Sequence, residues 1–504
     1  MIPPSLSEQS DRDQSQAIII SGKPISIDDV VAVADGRSIR IDPECASHIE
    51  ATHVAMLHAA ESGAAIYGLT TGVGALKGVI VGRAEARNFN RRLILSHRVS
   101  HGNPVPRRVV RATMFCHAQG LAMGRSGIRL AVIHALIDAL NVNDIPAVRM
   151  LGSVGQGDLA PLADIAEALI KRGLVLAERE ALALVGANSF ALGWASLALN
   201  RMRYAIYALE TATALTMEGF LFNPGAIDTA VFIDHPGSDL EQSVQRLRYL
   251  LTGSALLEGR EAPRLLQDPL SLRVAPQTHA TARRAFRHVV DVVERELAAA
   301  ADNPLLTPDG RLLSVGNFDA SGLAAALDYA RIGLAHALTL SCERVQKLLS
   351  GWHTGLLTGL REREDIAEDA LAIFGHGAAA LAAEARLLAQ PVSFELPTSS
   401  VAESVEDRVT MAPLGARRLD EQAELALRLA AVELVCAAQA IDLRQRLAAL
   451  GPITQAIHSF VRSHIPFVRA GETPVTDLDN LVMSLAADLD RTLHPFHIRN
   501  EDTI

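Results

Sequence analysis

Gly152-Ser153-Val154-Gly155-Gln156-Gly157-Asp158-Leu159-Ala160-Pro161-Leu162 is a glycine-rich loop that runs into an apolar stretch. Its glycines allow a tight path and close backbone approach, and Asp158 is placed to cap the helix that follows. Taken alone, the loop is equally readable as an anion nest at a helix N-terminus. Three other stretches share this concentration of glycine and polar residues in apolar surroundings. Tyr67-Gly68-Leu69-Thr70-Thr71-Gly72-Val73-Gly74 presents a phenol on a tight loop, where the hydroxyl would also serve to anchor the turn. Gln267-Asp268-Pro269-Leu270-Ser271-Leu272-Arg273, followed by Pro276-Gln277, offers a guanidinium whose planar fork suits a carboxylate. An arginine in a helical protein also serves surface and interface ion pairs. Asp302-Asn303-Pro304-Leu305 and Gly316-Asn317-Phe318-Asp319 read as a turn and a helix start, with capping as their plain role.

Around these stretches the 504 residues are 49% hydrophobic and 21% charged. Proline is absent from 162–223, 309–390 and 414–451, gaps that long helices are expected to fill. Leu323, Ala326, Leu327, Ala330, Leu334 and Leu338 recur at helical spacing, and 365–388 is apolar on most faces, as a helix inside a bundle or oligomer core would be. Residues 17–20 and 38–41 are short β-like runs around a helix signal, in which Asp28 or Asp29 is placed to cap 30–34. Gly, Pro and Asp cluster at 223–236 and 259–276, which read as loops. The fold class is therefore mainly α. Residues 1–16 read as a disordered tail, 17–217 as a mixed domain carrying the Tyr67 loop and the 152–162 loop, and 218–504 as a helical bundle.

Lys+Arg 47 against Asp+Glu 57 gives a net charge of −10, which excludes the basic footprint of a nucleic-acid binder. Cys45, Cys116, Cys342 and Cys436 have no paired spacing and read as buried thiols in a reducing compartment. The N-terminus lacks a signal-peptide layout, so a cytoplasmic protein is expected. A mean hydropathy of +0.19 is high; no membrane span is expected, and the excess is assigned to burial within or between subunits. The histidines form no HxxxH or HExxH pair and the carboxylates no calcium loop, so no metal is expected.

In chain order the four stretches resemble the histidine, phenylalanine and tyrosine ammonia-lyase family. The similarity begins at Gly22-Lys23-Pro24-Ile25-Ser26-Ile27-Asp28-Asp29-Val30, passes Leu95-Ser96-His97, and ends in Pro397-Thr398-Ser399 and Glu406-Asp407. The resemblance implies a long helical bundle with a mixed N-terminal domain, assembled as a homotetramer with shared active sites. It also implies roles: Tyr67 as the base at the substrate Cβ, Arg273 as the clamp on the α-carboxylate, and Glu406 near the substrate amine. His97 and Phe318 would line the side-chain pocket, and Asn303, Asn317 and Gln277 would orient groups there. Such a set suits elimination beside a carboxylate, which needs a base, a charge clamp and a water-poor pocket.

The family's electrophile is a methylidene-imidazolone (MIO) made by autocyclisation of an Ala-Ser-Gly triad. Here the interval between Gly155 and Asp158 holds only Gln156-Gly157, with no serine to dehydrate and one residue fewer. MIO is therefore not expected to form by the family route. Two further departures lie at the same subsite. Leu270 replaces the tyrosine that follows Gln-Asp-Pro, and Gly186-Ala187-Asn188 replaces Asn-Gly-Thr, so the supporting asparagine is absent unless Asn188 stands in by a shift. Since Tyr67, Arg273 and Glu406 remain, one chemical component has been replaced. The stretch from Ser399 to Glu406 is also long, so that Glu403 competes with Glu406 for the acidic role.

Three readings follow. The first is a lyase-family enzyme working without MIO on an amino acid or amino-acid-derived carboxylate. The second is ammonia elimination from histidine or an aromatic amino acid, and the third is a catalytically silent binding or scaffold protein. Gln156 either donates into the vacated space or simply fills it.

Overall fold

Ser26 opens the first helix, α1 (Ile27–Ala34). Its hydroxyl accepts the Asp29 N–H at 3.1 Å, while the Asp29 carboxylate accepts the Ser26 N–H at 3.0 Å. This capping box starts the helix at Ile27 and corrects the expectation that Asp28 or Asp29 caps it: serine three residues before an acid satisfies two amides at once. The isoleucines on either side form β1 (Ile18–Ile20) and β2 (Ile39–Ile41), paired in parallel across α1 with Ile18 opposite Ile39. β-Branched side chains suit that half-buried ribbon.

The computed structural model describes residues 17–61, 65–82, 84–394, 402–403, 405–472, 474 and 478–487. The tail expected at 1–16 and the match at Pro397-Thr398-Ser399 lie outside the described residues. Along the chain follow α2 (Pro43–Glu61), α3 (Ala86–His97), α4 (Arg107–Ala122), α5 (Leu130–Asn141), α6 (Leu159–Lys171), α7 (Glu180–Val185) and α8 (Ser189–Phe220). Then come α9 (Asp239–Leu250), α10 (Leu270–Arg273), α11 (Ala275–Leu297), α12 (Ser321–Leu349), α13 (Gly351–Thr354), α14 (Phe374–Leu388), α15 (Ala412–Leu443), α16 (Pro452–His464) and α17 (Asp479–Ala487). The long helices occupy the proline-free gaps, and the fold is mainly α-helical as expected.

The chain divides into two compact units. The first comprises Met1–Asn200, Val290–Asp328 and Pro391–Arg417. In it α1 packs on α4, α4 on α5, and α3 on α6 and α7. Two small ribbons join them: β3 (His101–Pro104) pairs antiparallel with β4 (Arg149–Leu151), and β5 (Leu305–Leu306) with β6 (Leu312–Leu313).

The second unit comprises Arg201–Val289, Tyr329–Gln390 and Arg418–Ile504. It buries ionic groups in pairs: Glu433 takes Arg344 Nε at 2.5 Å and Nη2 at 2.9 Å, and Glu210 takes Arg283 at 2.6 and 2.7 Å. Within it, 365–388 departs from the expected continuous helix. The Leu371 N–H is given to Gly359 O and the Ala372 N–H to Asp369 O, so helix begins only at Phe374. Gly375, Ala378, Ala382 and Ala385 form one buried face, while Ile373 and Leu387 stay exposed.

The region 223–236 contains two short 3-10 turns, each opened by a side chain, Asn223 on Gly225 N and Asp228 on Ala230 N. All four cysteines are free and buried. Among the described residues one stretch, Glu180–Phe220, is long and apolar enough to cross a membrane, but 89% of its most apolar window is buried inside the protein, as in a core helix.

Candidate active site

The Ile66 carbonyl accepts the N–H groups of Leu69, Thr70 and Thr71, and a bridge between Thr71 and Ile80 closes the loop behind them. On this loop the Gly74 N–H donates to the Tyr67 hydroxyl oxygen at 2.8 Å. Gly74 has φ +56°, and a β-carbon there would meet Ala402 Cβ at 3.3 Å and Glu406 Oε1 at 3.7 Å. The glycine thus serves both conformation and close approach. Burial pushes the Tyr67 phenol above its ordinary range, the Gly74 N–H pulls the other way, and the Glu406 carboxylate adds to the rise. At neutral pH the resting group is therefore the phenol, with its oxygen accepting from Gly74.

The glycine-rich loop is tied down at Gly155, Gln156 and Gly157. The Gly155 carbonyl accepts the Thr410 hydroxyl at 2.7 Å, and at φ +78° this glycine has no room for a β-carbon beside Thr410. Gln156 forms an isolated antiparallel bridge with Asp319, towards which its Nε2 points at 3.5 Å. The Gly157 N–H donates to Asn188 Oδ1 at 3.2 Å, and Asn188 Nδ2 donates to the Phe318 carbonyl at 2.7 Å. Buried Asn188 thus clasps the loop to the segment before α12.

Asp158 does sit at the N-cap of α6, but its side chain caps nothing there, contrary to expectation. Its carboxylate accepts Ser153 Oγ and the Ala191 N–H, both at 2.8 Å. Burial pushes this carboxyl up to about 6, against those two hydrogen bonds. The neighbouring Ser153 is thereby engaged.

These pieces enclose a cavity of about 490 Å³ within the first unit. Tyr67, Gln156, Gly157, Asn303, Phe318 and Glu406 line it together. Asn303 is fixed by accepting the Val315 N–H at 2.9 Å. The Aromatic amino acid lyase family model matches residues 25–175 and 171–463. The chain belongs to that family.

Among its relatives, a histidine ammonia-lyase from Anaeromyxobacter dehalogenans is 32% identical, with 92% of this chain and 97% of that one covered. The structure of histidine ammonia-lyase from Trypanosoma cruzi is similar at TM-score 0.85 and 26% identity, with 96% of each chain covered. Ergothionase from Treponema denticola shares the fold at TM-score 0.84 and 24% identity, covering 96% of this chain and 100% of that one.

In this lyase several residues expected at the site are not among those lining this cavity. His97 ends α3 with Nδ1 on the Leu93 carbonyl at 2.8 Å, and neither it, Asn317 nor Glu403 lines the cavity. Of the two competing acids, Glu406 is the one on the cavity wall. Arg273 and Gln277 belong to the second unit. There the Arg273 Nε donates to the Asp268 carbonyl at 2.8 Å, and Gln277 is exposed on α11. Gly155 anchors the loop without lining the cavity.

Lys77, Asp319, Asp407 and Arg408 also line the lyase cavity; the sequence assigns none of them a role, although Asp319 and Asp407 stand inside quoted stretches. Their signal lay in position, since each is adjacent to, or within a few residues of, a matched motif. Among the described residues no group of His, Cys, Asp or Glu is arranged to hold a metal ion.

Proposed function

We propose that this lyase works without MIO on an amino acid or amino-acid-derived carboxylate, with Tyr67 as base and Arg273 as carboxylate clamp. The observation that carries the reading is the loop between Gly155 and Asp158. The residues present do not fit the prosthetic group. Gln156-Gly157 supplies no serine, the Gly157 N–H is given to Asn188, and the Asp158 N–H is given to Ala187 O at 2.7 Å. The remaining nearby hydroxyl, Ser153, donates to Asp158.

Elimination beside a carboxylate then proceeds on the chain's own groups. Tyr67 takes the proton from carbon, that electron pair forms the double bond, and the leaving group departs with its bonding electrons. Because the phenol is the resting form, Tyr67 must first give its own proton to solvent, a step that the negative charge of Glu406 beside it opposes. Loss of a single electrostatic stabiliser costs about 2–4 kcal/mol, and loss of a covalent activator costs more. The favoured substrates therefore carry a better leaving group than a primary amine, or a more acidic C–H. We further assign the enzyme to a homotetramer with shared sites, in which the exposed Ile373 and Leu387 beside and on α14 become covered.

Intact mass and a borohydride difference spectrum test the reading. An unmodified chain mass with no borohydride-sensitive band is expected; loss of two waters with such a band would overturn it. On any substrate turned over, Tyr67→Phe is expected to lower kcat by about 10²–10⁴-fold with unchanged melting temperature. Full activity in that variant would remove Tyr67 from the mechanism.

A second reading, ammonia elimination, is favoured by the histidine ammonia-lyase relative at 32% identity. Near-ultraviolet absorbance of urocanate, cinnamate or coumarate, formed from histidine, phenylalanine or tyrosine, would establish it. Silence with all three amino acids would remove it.

A further inference from the structure

We infer that a second, internal cavity behind the glycine-rich loop is a built water site: a water held between His117 and Asp302 braces the two chain segments that carry Asn188 and Asn303. The site goes beyond the proposed reaction and does not depend on it.

This cavity measures about 30 Å³ and lies within the first unit. One water needs about 10–15 Å³ on the same measure, so the space admits one or two and no larger ligand. Cys116, Leu121, Leu192 and Leu297 make much of its wall apolar, and Gly186 is a wall that it shares with the Tyr67 cavity. His117, Asn188, Ser189 and Asp302 supply polar groups, with Ser126 and Glu296 beside them. A wholly apolar hole of this size would stay dry, whereas one with several polar groups takes up water.

His117 is 2% exposed, and its two ring nitrogens are treated differently. Nδ1 meets Ser189 Oγ at 3.1 Å. Nε2 is buried with no hydrogen-bond partner among the described residues. Burial lowers the imidazole to about 4, against the pull of the Asp302 charge and the Leu184 carbonyl, so the ring is neutral at pH 7. A neutral ring offers Nε2 as donor or acceptor according to the part that Ser189 plays at Nδ1, and water can answer either. A buried polar atom left bare is costly, and native interiors fill such positions with ordered water.

Asp302 stands on the opposite side, 7% exposed. Its Oδ1 accepts the Asn303 N–H at 2.8 Å, and its Oδ2 has the Arg179 guanidinium at 2.9 Å as an ion pair without a well-directed hydrogen bond. A carboxylate oxygen so placed keeps a lone pair for a further donor. Nε2 and Oδ2 make no hydrogen bond with each other. A water between them closes a chain that runs from Asn188 through Ser189 and His117 to Asp302 and Asn303. At one end is the side chain that clasps Gly157 to Phe318, and at the other is one that lines the Tyr67 cavity.

The test is crystallographic, on the full-length protein at a resolution that shows ordered water, with His117→Gln and His117→Phe beside wild type. Glutamine places an amide near the position of Nε2, whereas phenylalanine keeps a ring and removes the polar atom. Density for a water about 2.7–3.2 Å from Nε2 and from an Asp302 oxygen is expected in wild type, retained in His117→Gln and gone from His117→Phe. Hydrogen exchange of the 155–158 segment is expected to run about fivefold or more faster in His117→Phe, with rescue in His117→Gln.

A dry cavity in wild type, or a water that does not reach both residues, would overturn the inference. Unchanged exchange in His117→Phe would overturn the brace. Should His117→Phe fail to fold, the wild-type density and His117→Gln decide. A modified chain mass would sink the MIO-free reading and leave this site standing.

Discussion

Two sets of charges in this protein are handled in opposite ways. In the second unit Glu433 and Arg344 are fully buried, and the carboxylate also accepts Thr216 Oγ1 at 2.8 Å and Ser341 Oγ at 2.5 Å. Glu210 is likewise enclosed by Arg283 and Arg246. Burial alone would push the Glu210 carboxyl up, but the adjacent guanidinium of Arg283 leads the groups that bring it below its usual range. In the first unit the charged residues around Tyr67, among them Lys77, Asp319, Glu406, Asp407 and Arg408, stay exposed, and Arg408 stands 4.0 Å from Asp319. Charges that hold helices together must be neutralised internally, because an unpaired buried ion is costly. Charges that meet a ligand must keep part of their pairing capacity for it.

The same chemical change should therefore have very different effects at the two places. Glu433→Gln leaves Arg344 buried beside a neutral amide and is expected to cost about 3–5 kcal/mol, read as a lowered urea midpoint. A change under about 1 kcal/mol would break the comparison at its strong end.

Asp158 is an intermediate case, buried with neutral donors and no cation. Its carboxyl is raised from 3.8 to about 6, so between those values the folded state holds a proton that the unfolded state has released. Stability from this group is thus present at low pH and falls as pH rises across that window. Asp158→Asn should remove the fall, so its stability relative to wild type improves from pH 4 to 6 and is level above; parallel pH curves would contradict this.

Glu406→Gln should be the mildest, within about 0.5 kcal/mol of wild-type stability. Its effect belongs instead to activity. With one cause of the raised Tyr67 phenol removed, the rising limb of the pH–rate profile, where the phenolate base forms, should move to lower pH. An unmoved limb would separate Glu406 from Tyr67.

Much of this was legible in the chain because it depends on local pattern. The β-like runs at 17–20 and 38–41 marked the strands β1 and β2, though not their parallel pairing, proline-free gaps marked the long helices, and the glycine spacing marked both loops that carry Tyr67 and Gln156. What escaped depends on partners distant in sequence. Asp158 looked like a cap because caps are local, yet its carboxylate is held by Ala191, 33 residues on. Asn188 was considered as a stand-in by shift, but its two partners, Gly157 and Phe318, are visible only in three dimensions. His97 and Asn317 were placed by resemblance and do not line the cavity, whereas Arg408, next to Glu406-Asp407, does. Resemblance orders motifs along a chain; it does not say which member of a motif turns inward.

The Asn188 clasp also bears on how this loop can be engineered. Reinserting the missing residue to rebuild an Ala-Ser-Gly triad would displace the Gly157 amide from Asn188 and break the Gln156–Asp319 bridge. Each intermediate sequence would lose the present anchoring before gaining a new electrophile. The clasp ties the loop to residue 188, so engineering an Ala-Ser-Gly triad into this position would have to change the 155–158 loop and residue 188 in a single step.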